Sequence, residues 1–296
     1  MKLAIIGTTA SGKTALALEV AKRLNGVILS LDSLCIYKEI DIASAKPTAE
    51  ELNAVRHFGI DLVSPDEHFC VGDFVREFRA AQEFCHATSR PLIIVGGSGF
   101  YLAALMHGLS PRVPPLNAFL DREKLWRKIC EVDPPFAAAY SKNDTFRLQK
   151  WLEIYKFTNE QPSVWLKANL AEPVLKSLPI FELDWQKSEL EKRIFKRTEM
   201  MFESGLLDEA RGLFERYGFE AKPLNSIGLK ECGEFLRGRV ASEKELCELV
   251  CIHTRQLAKR QRTFNKKAFS ESVKMVNFDI EESCERIVNF AKIRLP

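Results

Sequence analysis

Residues 7–14 read GTTASGKT: a glycine, four residues, then Gly12, Lys13 and Thr14. That spacing constrains the fold more than any other feature of the chain, because the motif works only between a strand and a helix. Both are legible. Residues 3–7 form a continuous apolar run, and Thr14 to Leu24 has helical periodicity stopped by Asn25-Gly26. Glycines at 7 and 12 let backbone N–H groups turn toward an anion, and the helix adds the positive end of its dipole. The predicted phosphate cradle is Gly7, Thr8, Thr9, Ala10, Ser11, Gly12, Lys13 and Thr14. Lys13 supplies a point charge, and Thr14 can reach a Mg²⁺ carried by the phosphates. By pattern this is an ATP-binding loop. The pattern alone leaves open whether the ligand is ATP or another diphosphate.

The rest of the chain repeats the strand–helix alternation. VILSLDS (27–33) reads as a second strand with a polar end, 71–88 as a helix, and LIIVGG (92–97) as a third strand after Arg90-Pro91. Such alternation predicts an α/β fold, a P-loop NTPase-like parallel sheet flanked by helices. Ligands in such sheets lie beyond the carboxyl ends of the strands. The loop, Asp32-Ser33 and Gly96-Gly97-Ser98 therefore converge. SPRVPPL (110–116) reads as a linker, and the pattern from 117 to about 172 is helical, with Trp126, Trp151 and Trp165. PIFELDW (179–185) reads as a returning strand, and helices dominate from Lys187 to about 267. The expected organisation is a P-loop core, 1–111 and 176–296 with C-terminal helices, interrupted by an all-helical insert, 112–175.

Composition narrows the class. Apolar residues make up 46% and charged residues 28%, ordinary for a globular protein. Met1-Lys2 leads directly into the first strand, so no signal peptide is expected, and no apolar run approaches the roughly 20 residues of a membrane span. Eight scattered cysteines in a chain too long to need disulfide staples predict a reduced, cytoplasmic protein. Cys247 and Cys251 share a helix face near His253, but no second ligand pair follows, so they read as half-buried thiols.

A nucleotide hydrolase also needs a later apolar strand ending in a carboxylate, whereas LIIV ends in Gly96-Gly97-Ser98-Gly99. The strand that ends in one is VILSLD, which places Asp32 at the reacting phosphates as metal ligand or base, unless it only caps a turn. Arg193 and Arg197 share a helix face, which alone is more often a salt-bridged surface. Residues 249–270 contain no acidic residue, and Arg255, Lys259, Arg262 and Lys266 recur along one helical stripe. Val250, Leu257 and Phe264 lie roughly opposite and are expected to pack inward. Such a stripe is ordinarily a solvated face and becomes an RNA grip only in the right context.

Taken together, GTTASGKT, LDSLCIYKEIDIASAKPT (31–48), HFGIDLVSPDEHF (57–69) and VGGSGFYLAALMHGL (95–109) resemble the tRNA dimethylallyltransferases, also called tRNA isopentenyltransferases. The resemblance resumes at NDTFRLQKWLEIYKFT (143–158), LEKRIFKRTEMMFESGLLDE (190–209) and TRQLAKRQRTF (254–264). It implies prenyl transfer from dimethylallyl diphosphate to N6 of the adenine just 3′ of the anticodon, with Mg²⁺ and release of pyrophosphate. It also implies a channel through the core, tRNA as partner through its anticodon stem-loop, and a monomer. Asp32 matches the general base, and Thr9 and Lys13 match loop residues at the reaction centre. Arg197 matches the second arginine of R-I-x-x-R, a diphosphate contact. Asp32, Ser33, Leu34 and Cys35 match a tRNA-contacting segment, and Ser98 matches a threonine in the Gly-Gly-Thr turn. Phe146, Arg147, Leu148, Gln149 and Lys150 match another tRNA-contacting stretch of the insert, with Lys150 where arginine is usual. The basic stripe Arg255, Lys259, Arg262 and Lys266 acquires an RNA-facing role by its place in the family.

The chain departs from the pattern at Leu229, where tyrosine is common, at Thr8, where proline is usual, at FNKK (264–267), and in the short insert after 115. None touches Asp32, Lys13 or Arg197. Competing readings are prenyl transfer to free adenine nucleotides, a small-molecule P-loop kinase, and a P-loop RNA-binding switch. A mononucleotide needs neither a helical insert nor a basic stripe, and a switch needs no carboxylate at the phosphates.

Overall fold

The computed structural model describes residues 1–116, 121–276 and 279–293. The predicted helical reading at 117–120 lies outside them. Six strands form one sheet: β1 (Lys2–Gly7), β2 (Val27–Ser30), β3 (His57–Phe58), β4 (Leu92–Gly96), β5 (Ile180–Asp184) and β6 (Val273–Val276). Their order is β3-β2-β4-β1-β5-β6, and every pairing is parallel. The α-helices in chain order are α1 (Lys13–Leu24), α2 (Ala49–Ala54), α3 (Val71–Thr88), α4 (Gly99–His107), α5 (Arg122–Val132), α6 (Pro134–Ala139) and α7 (Thr145–Thr158). They continue as α8 (Pro162–Ala168), α9 (Lys187–Glu203), α10 (Leu206–Tyr217), α11 (Leu229–Leu236), α12 (Glu243–Ala268) and α13 (Ile280–Lys292).

The parallel order follows from the sequence pattern. Strands buried on both faces must be apolar throughout, and Leu3, Ala4, Ile5 and Ile6 are all buried. Leu3, Ile5, Ile93 and Phe181 pack with Leu16, Val20, Ile287 and Val288 of α1 and α13. Their alternates Ala4, Ile6, Leu29 and Ile94 are buried on the opposite face, and α3 and α12 contact the strands as well. Right-handed crossovers put α1 and α3 on opposite faces, because the first moves outward from β1 and the second returns to β4 beside it.

The second strand stops earlier than predicted. β2 ends at Ser30 because the Asp32 carboxylate accepts the Leu34 N–H at 2.8 Å and turns the chain.

The chain divides into two compact units, Met1–Ala103 with Ser177–Pro296, and Ala104–Lys176. The first carries the sheet. The second has its own core of Leu125, Ile129, Phe136, Leu148 and Trp151.

Candidate phosphate-transfer site

Above the carboxyl ends of the central strands lies a cavity of about 710 Å³, lined by Thr9–Ala15, Asp32, Gly96, Gly97, Arg193, Arg197 and Gln261 among others. The sheet order explains it. β4 lies between β1 and β2, so the loop after β1, the turn after β4 and Asp32 after β2 face one another. Gly12 takes φ +91°, a left-handed conformation that favours glycine, and no side chain caps the α1 N-terminus. The first amides of α1 are thus free of side-chain caps and available to an anion.

Long side chains hold the loop. Lys13 Nζ donates to the Thr8 carbonyl at 2.6 Å. Arg197 Nη1 donates to Thr9 Oγ1 at 3.0 Å, and Arg193 Nε to the Ala10 carbonyl at 2.9 Å. Arg193 also lies over the Trp185 ring at 4.4 Å, and Trp185 Nε1 donates to the Ser11 carbonyl at 2.9 Å. The shared helix face of Arg193 and Arg197 is therefore no salt-bridged surface: α9 directs both into the loop. Burial, and then the nearby Arg197 charge, lower the Lys13 pKa to about 8, with Asp32 opposing. Burial likewise holds the Arg197 guanidinium below its ordinary value. Two cations crowded in one partly buried site favour an anion that would neutralise both.

Asp32 is half-buried and lines the cavity. Oδ1 caps the turn at Leu34, while Oδ2 has no hydrogen-bond partner among the described residues. Asp32 thus caps the turn and still lines the cavity with an oxygen to spare, so the capping role does not exclude the other. Cys35 is buried and lines the cavity, Leu34 is half-buried and Ser33 is exposed. Ser98 is half-buried beside Gly97. Thr14 is exposed on the first turn of α1.

The remaining residues lie elsewhere. On α7, Phe146 is 72% exposed, and Arg147 and Lys150 are exposed but paired with Asp144 and Glu153. Gln149 donates to the Leu116 carbonyl at 2.7 Å. The Leu148 side chain is fully buried in the core of the second unit, so it packs inward rather than facing a ligand. On α12, Arg255, Lys259 and Lys266 are exposed. Arg262 departs from the stripe: it donates to the Trp185 carbonyl at 2.6 Å and lies 3.4 Å from Asp184. Phe264 is 37% exposed rather than inward, while Cys251, Ala258 and Asn265 are buried. A heptad repeat drifts about 20° per seven residues on a straight helix, which carries the third member off the buried face.

Two features escaped the sequence. Asp184 is a second strand-end carboxylate, on β5 directly beside β1, but it lies against Arg262 and is not among the residues lining the cavity. Adjacency of strands so distant in sequence is not visible locally. Gln261 of α12 accepts the Thr9 N–H at 2.8 Å and donates to the Gly97 carbonyl at 3.1 Å. Only a neutral residue amid the arginines and lysines of α12 hinted at it.

Comparisons with known proteins converge. The family model described as IPP transferase matches residues 35–268. A Campylobacter concisus protein named tRNA dimethylallyltransferase is 53% identical over 291 residues, covering 98% of this chain and 99% of its own. A Campylobacter fetus protein of the same name is 51% identical over 278 residues, covering 92% and 93%. Among solved structures, a full-length Bacillus halodurans tRNA isopentenylpyrophosphate transferase superposes with TM-score 0.75 at 30% identity, covering 99% of this chain and 96% of its own. A eukaryotic dimethylallyltransferase, solved acting on tRNA, gives TM-score 0.77 at 25% identity, covering 95% and 75%.

Proposed function

The chain belongs to the IPP transferase family, that of the tRNA dimethylallyltransferases, and from that premise we propose how its own residues perform the transfer. The enzyme is a transferase that moves a dimethylallyl group onto tRNA. The donor is dimethylallyl diphosphate, and the acceptor is N6 of the adenosine immediately 3′ of the anticodon. Adenine N6 is a poor nucleophile because its lone pair is delocalised into the ring. Asp32 accepts its proton as the N6–carbon bond forms and the allylic carbon–oxygen bond breaks. Lys13, Arg197 and the free amides at the start of α1 stabilise the charge gathering on the departing pyrophosphate. Thr9, whose hydroxyl Arg197 holds, fixes the loop at the reaction centre.

A divalent cation fits this site. The Thr14 hydroxyl and the phosphates supply the hard oxygen donors that Mg²⁺ takes, and bound there it would neutralise charge on the leaving group. The adenine must leave its stack to reach Asp32, which costs less from an unpaired loop than from a duplex. Ser33, Ser98, exposed Phe146 of the helical unit, and Arg255, Lys259 and Lys266 of α12 serve as the tRNA contacts. The enzyme acts as a monomer in the cytoplasm, a placement supported by its eight free cysteines.

One observation carries the reading: Asp32, Lys13 and the Arg197–Thr9 pair line a single cavity. Supplying dimethylallyl diphosphate, Mg²⁺ and unmodified tRNA should release pyrophosphate and yield a prenylated adenosine by mass spectrometry. ATP hydrolysis stimulated by tRNA, without prenyl transfer, would overturn it.

A further inference from the structure

The chain enters α3 through His68-Phe69-Cys70-Val71-Gly72-Asp73. Three of these residues carry donors of different chemical classes, and the fold brings the donors together. The His68 imidazole, the Cys70 thiol and the Asp73 carboxylate each offer one ligand atom, all within 4.8 Å of one another. Local structure explains the convergence. Cys70 is the N-cap of α3, in extended conformation, and Asp73 follows in the first turn. Asp73 Oδ2 accepts the Cys70 N–H at 2.7 Å, which draws the carboxylate back over the cap. Gly72 leaves the flank of the sulfur open, since a Cβ there would meet Cys70 Sγ at 3.5 Å.

Helix capping does not account for the set. Ser, Thr, Asp and Asn lead at N-caps, and cysteine is not among them. Cys70 and Asp73 are half-buried and His68 is exposed, so the donors stand at an edge that solvent reaches. Asp73 also pairs with Arg76, which is 73% exposed, and such a surface pair is a weak competitor for a metal. An ionised carboxylate offers roughly four acceptor sites, so a metal need not displace both partners. The donor types select the ion. Thiolate and imidazole suit Zn²⁺ and its neighbours, whereas Mg²⁺ takes oxygen. A tetrahedral Zn²⁺ with bonds of about 2.0–2.3 Å holds its donors roughly 3.5 Å apart, and a turn of the exposed His68 ring closes the difference. None of the three residues lines the phosphate cavity.

We propose that His68, Cys70 and Asp73 form a divalent-metal site of the zinc class, separate from the phosphate cavity. The ion takes one imidazole nitrogen, one thiolate and one carboxylate oxygen, with water in the fourth position, and the thiol proton leaves to solvent as the metal–sulfur bond forms. The loaded site ties the segment after β3 to the first turn of α3, where Phe74 stacks on Tyr101 of α4 at 4.5 Å.

Co²⁺ is the probe, because a cobalt–thiolate bond gives a near-ultraviolet charge-transfer band and a four-coordinate site gives intense visible bands. The reduced full chain, stripped of metal and titrated with Co²⁺ alone, should bind one equivalent with both signatures. Zn²⁺ should abolish them, and excess Mg²⁺ should leave them in place. Cys70→Ser should remove the charge-transfer band. His68→Ala, at an exposed position that the fold does not need, should weaken binding at least about tenfold, since even an outer-shell partner is worth that much. Cys130→Ser and Cys247→Ser, at two other thiols outside the buried set, should leave the band unchanged. Absence of the band in the wild type, its survival in Cys70→Ser, its loss with Cys130→Ser or Cys247→Ser, or its displacement by Mg²⁺ would each overturn the site.

Discussion

Asp32 shows how one residue can satisfy two readings. Oδ1 closes the turn at Leu34, so Asp32→Ala would loosen the backbone as well as remove the proposed base. Asp32→Asn keeps an acceptor for Leu34 and removes only the proposed base. It should slow the single-turnover rate at saturating substrates by roughly 10²–10⁴-fold while tRNA affinity holds. A rate within a few-fold of wild type would leave Asp32 with the turn alone. Lys13 carries a second prediction, in pH. Its pKa in the free enzyme is lowered to about 8, by burial first and then by Arg197. A diphosphate supplies the missing counter-charge and raises it. Below pH 8 the lysine is charged with or without ligand and adds no pH dependence of its own to binding. Above pH 8 binding must take up a proton, and pyrophosphate affinity should fall toward tenfold per pH unit. Calorimetry in buffers of different ionisation enthalpy would register that uptake. The sign for folding is opposite to that of a paired lysine. The folded-state pKa lies below the unfolded value, so the ligand-free protein gains stability as pH rises from 8 toward 10.5. The motif predicted the position of Lys13 but not its pKa, which depends on Arg197 approaching from a helix 184 positions further along the chain.

At the scale of elements, α12 was legible as a helix with a basic stripe, yet its faces were only partly so. Charge periodicity identifies which residues share a side; it does not say what stands opposite. Arg255, Lys259 and Lys266 are exposed, whereas Arg262 is engaged by Trp185 and Asp184. Replacing the three exposed cations with glutamine should weaken binding of any tRNA. It should also flatten the slope of log affinity against log salt by about 0.7–0.9 per lost phosphate contact. The chemical step at saturating tRNA should survive, because phosphate contacts position rather than react. Arg262→Gln should leave the slope nearly unchanged and instead lower stability by about 1 kcal/mol, since it frees a carbonyl and a carboxylate at the end of β5. An equal loss of slope for Arg262 would return it to the stripe. The strands tell the same story. The cores of β1, β2, β4 and β5 were readable from apolar runs, whereas the two-residue β3 and the edge strand β6, with Val276 exposed, were not; the convergence of loop, Asp32 and Gly97 followed from the parallel rule. The adjacency of β5 to β1, and with it Asp184, required tertiary packing that no local pattern encodes.

At the scale of the molecule, the two compact units have separate cores, and their stabilities should separate too. Asp133 is the centre of the smaller one. It is fully buried and accepts from Trp151 Nε1 at 2.9 Å, Ser163 N at 2.9 Å, Gln161 Nε2 at 3.1 Å and Phe136 N at 3.2 Å. Burial pushes its carboxyl up, but the hydrogen bonds from Ser163, Trp151 and Gln161 outweigh it and hold the pKa below the ordinary value. The stabilisation is therefore present at neutral pH and is lost as pH falls below the unfolded carboxyl value, near 4, toward the lower folded one. Asp133→Ala leaves several buried donors without an acceptor and should cost about 3 kcal/mol. All the residues lining the phosphate cavity belong to the larger unit. The variant should consequently melt in two steps, the first localised by limited proteolysis within 104–176. Above that first transition, pyrophosphate should still bind, because its cradle is intact, while tRNA affinity falls with the helices that carry Phe146 and its neighbours. Simultaneous loss of both activities in one cooperative transition would show that the two cores fold as one.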